Sequence, residues 1–287
     1  MLTTDDSDYL KQTTLLDYGH ASVTKLIQDR GWQSLPIGQR IGAAYAFVRD
    51  EIRFGYNPSD RICASQVLAD GYGQCNTKTI LLMALLRGVG VPCRLHGATI
   101  HKRLQKGVVT GLWYWLAPSE IVHSWAEVLV DGRWVALEGV ILDRRYLDGL
   151  RAFLPDGHGA FLGYGVGTDN LASPPVDWQC ADTAIQMTGV NRDLGSYDDP
   201  DAFYAQHHAN LSGIREWLYR HVVRHRMNRK VASIRACRGA VSYVGPAGPL
   251  HEADRTPHQG STGDAGGAEV DHPKVTSQPA RHRDAQR

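Results

Sequence analysis

Cys75 is the residue whose surroundings most favour covalent chemistry. It follows Gly71-Tyr72-Gly73-Gln74, where the glycines predict a turn with a close backbone approach. The next residues, TILLMALLR, favour a helix that ends at Gly88. Free backbone N–H groups and the positive dipole end at a helix start favour a thiolate and can hold an oxyanion. Residue type alone favours an inert buried cysteine, and the turn into a helix shifts the prediction toward a nucleophile.

A histidine and a carboxylate lie on a predicted β-hairpin further along the chain. Residues 122–130 form the first strand, Asp131-Gly132 gives a two-residue type I′ turn, and residues 133–140 form the return strand. In this register His123 and Glu138 share a face as diagonal neighbours, about 7–8 Å apart at the backbone. A slip of one residue would separate them. A strand histidine is more often an ordinary polar residue, whereas the apolar neighbours of Glu138 predict a buried carboxylate that needs a partner.

Four motifs in this region resemble the transglutaminase-like superfamily of cysteine hydrolases. They are Ala64-Ser65-x-Val67-Leu68, Gly71-x-Gly73-x-Cys75, His123-Ser124-Trp125-x-Glu127-Val128 and Gly132-x-Trp134…Leu137-Glu138. The resemblance covers residues 40–145 and implies a papain/transglutaminase-like α+β core. In such a core the cysteine helix packs on an antiparallel β-sheet and is flanked by N- and C-terminal helices. The chain departs from the family in its acid, because Glu138 stands where Asp is most common.

The resemblance implies thiol acyl chemistry on an amide or peptide bond, with no metal or cofactor in the reaction. Cys75 would attack the carbonyl to give a thioester, His123 would take the thiol proton, and Glu138 would hold His123 in the useful tautomer. Hydrolysis is favoured over cross-linking because nothing in the sequence marks an amine-acceptor site. The second oxyanion donor is open, with Gln74 and Asn57 as polar candidates.

Composition shifts divide the chain into five parts. They are an N-terminal helical segment packed on the core (1–55), a transglutaminase-like catalytic core (56–153), a Gly/Pro-rich loop region (154–198), a basic helical segment (199–238) and a disordered tail (239–287). Two amphipathic helices separated at Leu35-Pro36 are expected in the first part. Asp199-Pro200 predicts a helix start, with Asp as N-cap and Pro at the first helical position.

The basic segment 214–238 keeps a second class of function open. It carries eight Arg and Lys residues against the single acid Glu216, together with an apolar side. Such a helix either docks on the core with a solvated basic face, which is favoured, or binds a membrane surface, nucleic acid or an acidic partner. The alternative to an enzyme is therefore a non-catalytic binding module. A third alternative is a peptidase-like enzyme in which residues 154–179 select a small non-peptide amide.

Charge and cysteine usage disfavour other classes. With 31 Lys and Arg against 30 Asp and Glu, the net charge of +1 argues against nucleic-acid binding driven by overall charge. Five cysteines without C-x-x-C spacing predict free thiols and no zinc ribbon. His221 and His225 are spaced like metal ligands, but the arginines around them oppose a cation. An acidic start and no long apolar stretch predict a cytoplasmic protein without a membrane span.

Overall fold

The structure is a computed structural model that describes residues 7–154, 159–207 and 213–237. The α-helices in these ranges are α1 (Ala21–Asp29), α2 (Ile37–Ala46), α3 (Ala64–Asp70), α4 (Cys75–Gly88), α5 (Gly111–Leu116), α6 (Arg144–Phe153), α7 (Pro200–Gln206), α8 (Ile214–Leu218) and α9 (Arg224–Ala236). The strands are β1 (Arg53–Phe54), β2 (Tyr72–Gly73), β3 (Cys93–His101), β4 (Glu120–Val130), β5 (Arg133–Ala136), β6 (Phe161–Gly163), β7 (Val166–Thr168) and β8 (Val190–Tyr197). The predicted disordered tail, residues 239–287, lies outside the described residues.

The main sheet is antiparallel and has the strand order β5-β4-β3-β8. The register of the predicted hairpin is confirmed, because Val130 pairs with Arg133 and Glu127 pairs with Ala136. Helices pack on this sheet, which confirms the α+β class. The return strand stops at Ala136, so the prediction that it runs to residue 140 is wrong.

The return strand is short because the start of α4 occupies the edge of β4 that a longer β5 would use. The Asn76 Nδ2 group donates to the Val122 carbonyl at 3.1 Å. The Thr79 hydroxyl donates to the Ser124 carbonyl, also at 3.1 Å. Since these carbonyls already have donors, the chain after Ala136 leaves the sheet and forms a 3₁₀ turn over Glu138–Ile141.

Helix α4 lies at the centre of the core. Its residues from Cys75 to Arg87 are all buried, which explains why its apolar side chains are not confined to one face. It contacts β3 and β4 as well as α1, α2 and α3. The last three helices come from the N-terminal half of the chain, and α1 and α2 lie on either side of the Leu35-Pro36 break as predicted.

The expectation that residues 154–198 form a loop region is wrong for three strands, β6, β7 and β8, whereas residues 169–186 between β7 and β8 are irregular. Strands β6 and β7 form a small antiparallel hairpin, and β8 pairs with β3 at the edge of the main sheet. The sequence of β8, VNRDLGSY, is mainly polar because one side of this edge strand is open to solvent. Its pairing with β3 also shifts register at two points, so no clean alternation marks it as a strand.

The basic C-terminal helices dock on the core. Helix α9 buries Met227, Val231 and Ile234, and its Asn228 exchanges hydrogen bonds with the backbone of Tyr56 at 2.7 and 3.1 Å. Helix α7 begins at Pro200 with an Asp199 cap, as predicted. None of the described helices has the length and apolarity needed to cross a membrane.

Lys78 is a fully buried cation one turn beyond Cys75 on α4. Its Nζ group donates to the Arg49 carbonyl at 3.0 Å. Burial lowers the pKa of Lys78 to about 7, although the nearby carboxylates of Asp143 and Asp50 act in the opposite direction. The folded protein therefore releases a proton that the unfolded chain retains up to an ordinary lysine pKa near 10.5.

This proton release predicts a pH dependence of stability. Between pH 7 and 9 the unfolded state binds more protons than the folded state, so the stability of the wild type should rise relative to Lys78→Met by roughly 1 kcal/mol per pH unit. Urea unfolding of both proteins across this range measures the difference. The exposed Lys25, replaced by Met, is the control and should leave the pH profile unchanged. Parallel profiles for wild type and Lys78→Met would contradict the expectation.

Candidate active site

Cys75 is the first residue of α4, as the sequence predicts. The turn before it needs both of its glycines. Gly71 ends α3 with φ of 66°, a conformation that side chains disfavour. At Gly73 a Cβ atom would lie 2.7 Å from the Thr77 hydroxyl, so a larger residue would push against the first turn of α4. This close approach places the nucleophile candidate at a rigid helix start.

His123 is held beside that helix start by contacts of its two neighbours. The carbonyls of Val122 and Ser124 accept the hydrogen bonds from α4 described above, and the Ser124 hydroxyl also donates to the Asn76 side-chain oxygen at 2.9 Å. His123 itself is fully buried. These hydrogen bonds hold the part of β4 around His123 against the first turn of α4, which begins at Cys75.

Glu138 meets His123 as predicted, but from a turn and not from a strand. The Nε2 atom of His123 lies 3.3 Å from Oε1 of Glu138, and both side chains are fully buried. Their alignment falls short of a hydrogen bond, and His123 Nδ1 has no hydrogen-bond partner among the described residues. One ring nitrogen thus faces a carboxylate, and the other is left without a protein partner.

Two backbone N–H groups fix the Glu138 carboxylate. The N–H of Gln186 donates to both of its oxygens, at 3.0 and 3.1 Å, and the N–H of Ile185 donates to Oε2. These donors come from a segment almost 50 residues later, which the local sequence pattern does not link to the hairpin. With this anchor, the longer Glu side chain reaches His123 in the place where the family more often has Asp.

The structure distinguishes between Gln74 and Asn57, the two candidates for the second oxyanion donor. Gln74 lines the pocket at Cys75, and its Nε2 group donates to Asp60 at 2.8 Å. Asn57 is fully buried, and its amide hydrogens go to Asp70 at 3.1 Å and to the Tyr72 carbonyl at 3.3 Å. Because both hydrogens are used in the turn, Asn57 supports the loop and the expectation that it donates to an oxyanion is wrong.

Asp60 is a site residue that the sequence motifs do not indicate. Its carboxyl group lines the pocket and accepts from the side chain of Gln74, the residue before Cys75. Burial raises the pKa of Asp60, whereas hydrogen bonds from the side chains of Gln74 and Asn76 lower it. It lies in an irregular segment, Asn57-Pro58-Ser59-Asp60, that carries no periodic or motif signal.

Cys75 opens into a cavity of about 230 Å³. The end at the cysteine is polar and contains Asp60, Gln74 and Asn76. The remaining walls come mainly from apolar side chains of β1, α5, β4 and the C-terminal helices, among them Phe54, Trp113, Leu116, Ile121, Leu218, Tyr219 and Met227. The site can therefore present a thiol to a substrate group that is largely apolar.

The thiol is held in its neutral form in this resting arrangement. Burial raises the pKa of Cys75 far above its usual range, and the charge of Asp60 raises it further. The backbone N–H groups of Asn76 and Ser124 oppose this rise without cancelling it. The expectation that the helix start by itself favours a thiolate is thus not met, because desolvation outweighs it. Nucleophilic attack from this site needs a base.

The described residues contain no group of three or more His, Cys, Asp and Glu side chains arranged to bind a metal ion. His221, one of the two spaced histidines, packs its ring on Trp217 with 5.1 Å between centroids.

Comparison with known proteins supports the family resemblance. Residues 30–139 match the family model of the transglutaminase-like superfamily, and this range includes Cys75, His123 and Glu138. No curated protein gives a significant match. A solved structure described as a candidate cysteine protease from Cytophaga hutchinsonii is similar, with 11% sequence identity, a TM-score of 0.42 and coverage of 70% of this chain. The chain spans about half of that structure, 49% of its length.

Proposed function

We propose that this protein is a cysteine-dependent amidase or peptidase in which Cys75, His123 and Glu138 form a catalytic triad. The observation that carries the proposal is the buried pair of His123 and Glu138, whose Nε2 and Oε1 atoms are 3.3 Å apart. His123 lies on β4, and hydrogen bonds join this strand to the start of the helix that begins at Cys75. A buried histidine and carboxylate have a high desolvation cost, which a catalytic role explains better than a packing role does.

The proposed reaction has two acyl-transfer steps. The thiol proton moves to Nδ1 of His123 while the Cys75 sulfur bonds to the carbonyl carbon of the amide. The C–N bond then breaks, the amine leaves with the proton from His123, and the acyl group stays on Cys75 as a thioester. Water loses a proton to His123 and attacks the thioester, which releases a carboxylic acid and restores the thiol.

Glu138 would act through His123. Its carboxylate faces Nε2, which keeps the proton of the neutral ring on that nitrogen and leaves Nδ1 free to accept the thiol proton. It would also stabilise the imidazolium formed during the attack. The oxyanion donors would be the backbone N–H of Cys75, in the unpaired first turn of α4, and the second hydrogen of Gln74 Nε2.

Hydrolysis is favoured over cross-linking in this proposal. No segment of the sequence marks an amine-acceptor site. In the absence of a bound amine, water would hydrolyse the thioester. The binding-module alternative has less support, because α9 uses its apolar side to dock on the core. The alternative in which residues 154–179 select the substrate also has less support, since none of the described residues in that segment lines the cavity at Cys75.

Turnover of a panel of aminoacyl coumarylamides, with free and acetylated amino groups, tests the proposal. Cys75→Ala should lower kcat/KM by about 10³-fold or more, because Cys75 is the only thiol that lines the cavity among the described residues. Cys180→Ser is the matched control, since Cys180 is exposed and should leave turnover unchanged. Equal turnover by wild type and Cys75→Ala would contradict the proposal.

A further inference from the structure

Asp60 stands in an unfavourable place for a carboxylate. It lies in the wall of the cavity at Cys75, and its negative charge works against a thiolate there. The hydrogen bond from Gln74 Nε2 fixes its Oδ1 atom at 2.8 Å. No cation among the described residues forms an ion pair with it. Asp60 is half-buried, burial raises the pKa of its carboxyl group, and a cation bound beside it would stabilise the charged form.

The position of Asp60 limits where such a cation would sit. Its carboxyl group accepts from Nε2 of Gln74, the residue before Cys75, and it lines the same cavity as Cys75. When Cys75 attacks a substrate, its sulfur bonds to the carbonyl carbon. The α-nitrogen of that substrate residue is about 2.5 Å from the carbonyl carbon. A cation at Asp60 is therefore close to the reacting carbonyl and belongs to the acyl side of the scissile bond.

The rest of the cavity fixes the chemistry of the side chain. Apolar and aromatic side chains form most of the cavity wall, among them Phe54, Trp113 and Met227, and the charged residues Glu120, Arg215 and Glu216 also line it. A volume of about 230 Å³ accommodates one large side chain. An apolar or aromatic side chain matches the larger part of the lining.

We propose that Asp60 binds the free α-ammonium group of the substrate, so that Cys75 removes an N-terminal residue with a large apolar side chain from an amide or peptide. This inference rests on the proposed function and names its substrate class. The acyl part of the thioester is then an aminoacyl group, and the leaving amine is the remainder of the peptide.

Binding of that ammonium would also help to activate the nucleophile. In the free protein burial raises the pKa of the Cys75 thiol most, and the charge of Asp60 raises it further. A substrate cation beside Asp60 compensates its charge, so the thiol loses its proton to His123 more readily once the substrate is bound. A substrate without the amino group would lack both the ion pair and this compensation.

The test compares three coumarylamides with the same aromatic group: phenylalanyl, N-acetylphenylalanyl and 3-phenylpropanoyl. The wild type should cleave the free amine with kcat/KM at least about tenfold above the other two. Asp60→Asn keeps the shape and an acceptor for Gln74, and should bring the ratio close to one.

The three substrates also separate the failure of this inference from failure of the proposed function. Equal cleavage of all three by the wild type, or an unchanged preference in Asp60→Asn, would overturn the role of Asp60 and leave the triad in place. Cleavage of none of them would overturn the assigned substrate class, and the acylation of Cys75 by a reactive ester then decides the triad separately. The comparison of the three substrates on the wild type still tests the preference for a free amine if Asp60→Asn does not fold.

Discussion

His123→Ala is expected to lower kcat by about 10²–10⁴-fold while changing KM little. The reason lies in the thiol, whose pKa is raised by burial and by Asp60. Without the imidazole, the thiol lacks the base that the proposed mechanism requires, and the neutral thiol is a poor nucleophile. Initial rates on the most active coumarylamide, measured over a range of substrate concentrations, separate kcat from KM.

A loss of folding must be distinguished from this loss of chemistry. His123 is fully buried, so thermal unfolding of the variant should be measured alongside its turnover. His221→Gln is a suitable control histidine, since His221 is exposed and lies outside the cavity lining. Turnover within about threefold of the wild type in a folded His123→Ala protein would remove His123 from the mechanism.

Glu138→Ala should be the most damaging of these changes to stability, and it should also lower activity. It removes the acceptor of the Ile185 and Gln186 N–H groups. These two buried donors are then unpaired, next to the space that the deleted side chain leaves. The expected loss in the free energy of unfolding is about 3–5 kcal/mol, and urea unfolding measures it. Glu51→Ala, at an exposed ion pair with Arg30, should cost less than about 1 kcal/mol.

Glu138→Gln separates the catalytic part of this effect from the structural part. The side-chain carbonyl can still accept a backbone hydrogen bond, so most of the stability should remain. The amide cannot stabilise an imidazolium and can favour the wrong tautomer of His123, so kcat should fall about 10²–10⁴-fold. A Glu138→Gln protein with wild-type kcat would show that the buried pair serves the fold only.

The sequence predicts those parts of the site that depend on short-range chemistry. The glycines before Cys75 indicate the helix start, and Asp131-Gly132 sets a hairpin register that the structure shares. Both follow from residues within a few positions of each other. The resemblance to a known family adds His123 and Glu138 in the expected order, and these two side chains do meet.

The remaining parts depend on contacts between distant segments. Glu138 reaches His123 from a turn because α4 takes the β4 edge, and the N–H groups that anchor it come from Ile185 and Gln186. Asp60 has no neighbouring motif and becomes a site residue only when the loop folds over Cys75. Strand β8 lacks alternation because it is a bulged edge strand. None of these arrangements leaves a local signal in the chain.

Acylation of Cys75 is the most direct measurement of the central claim. The wild type, His123→Ala and Cys75→Ala proteins are incubated with the p-nitrophenyl ester of N-acetylphenylalanine, and each acylated cysteine is located by peptide mass mapping. The proposed triad predicts rapid formation of a thioester on Cys75 in the wild type, slow formation in His123→Ala, and only slow labelling of exposed thiols such as Cys180 in Cys75→Ala. Acylation of Cys75 that is no faster than that of Cys180, and that does not depend on His123, would contradict the account.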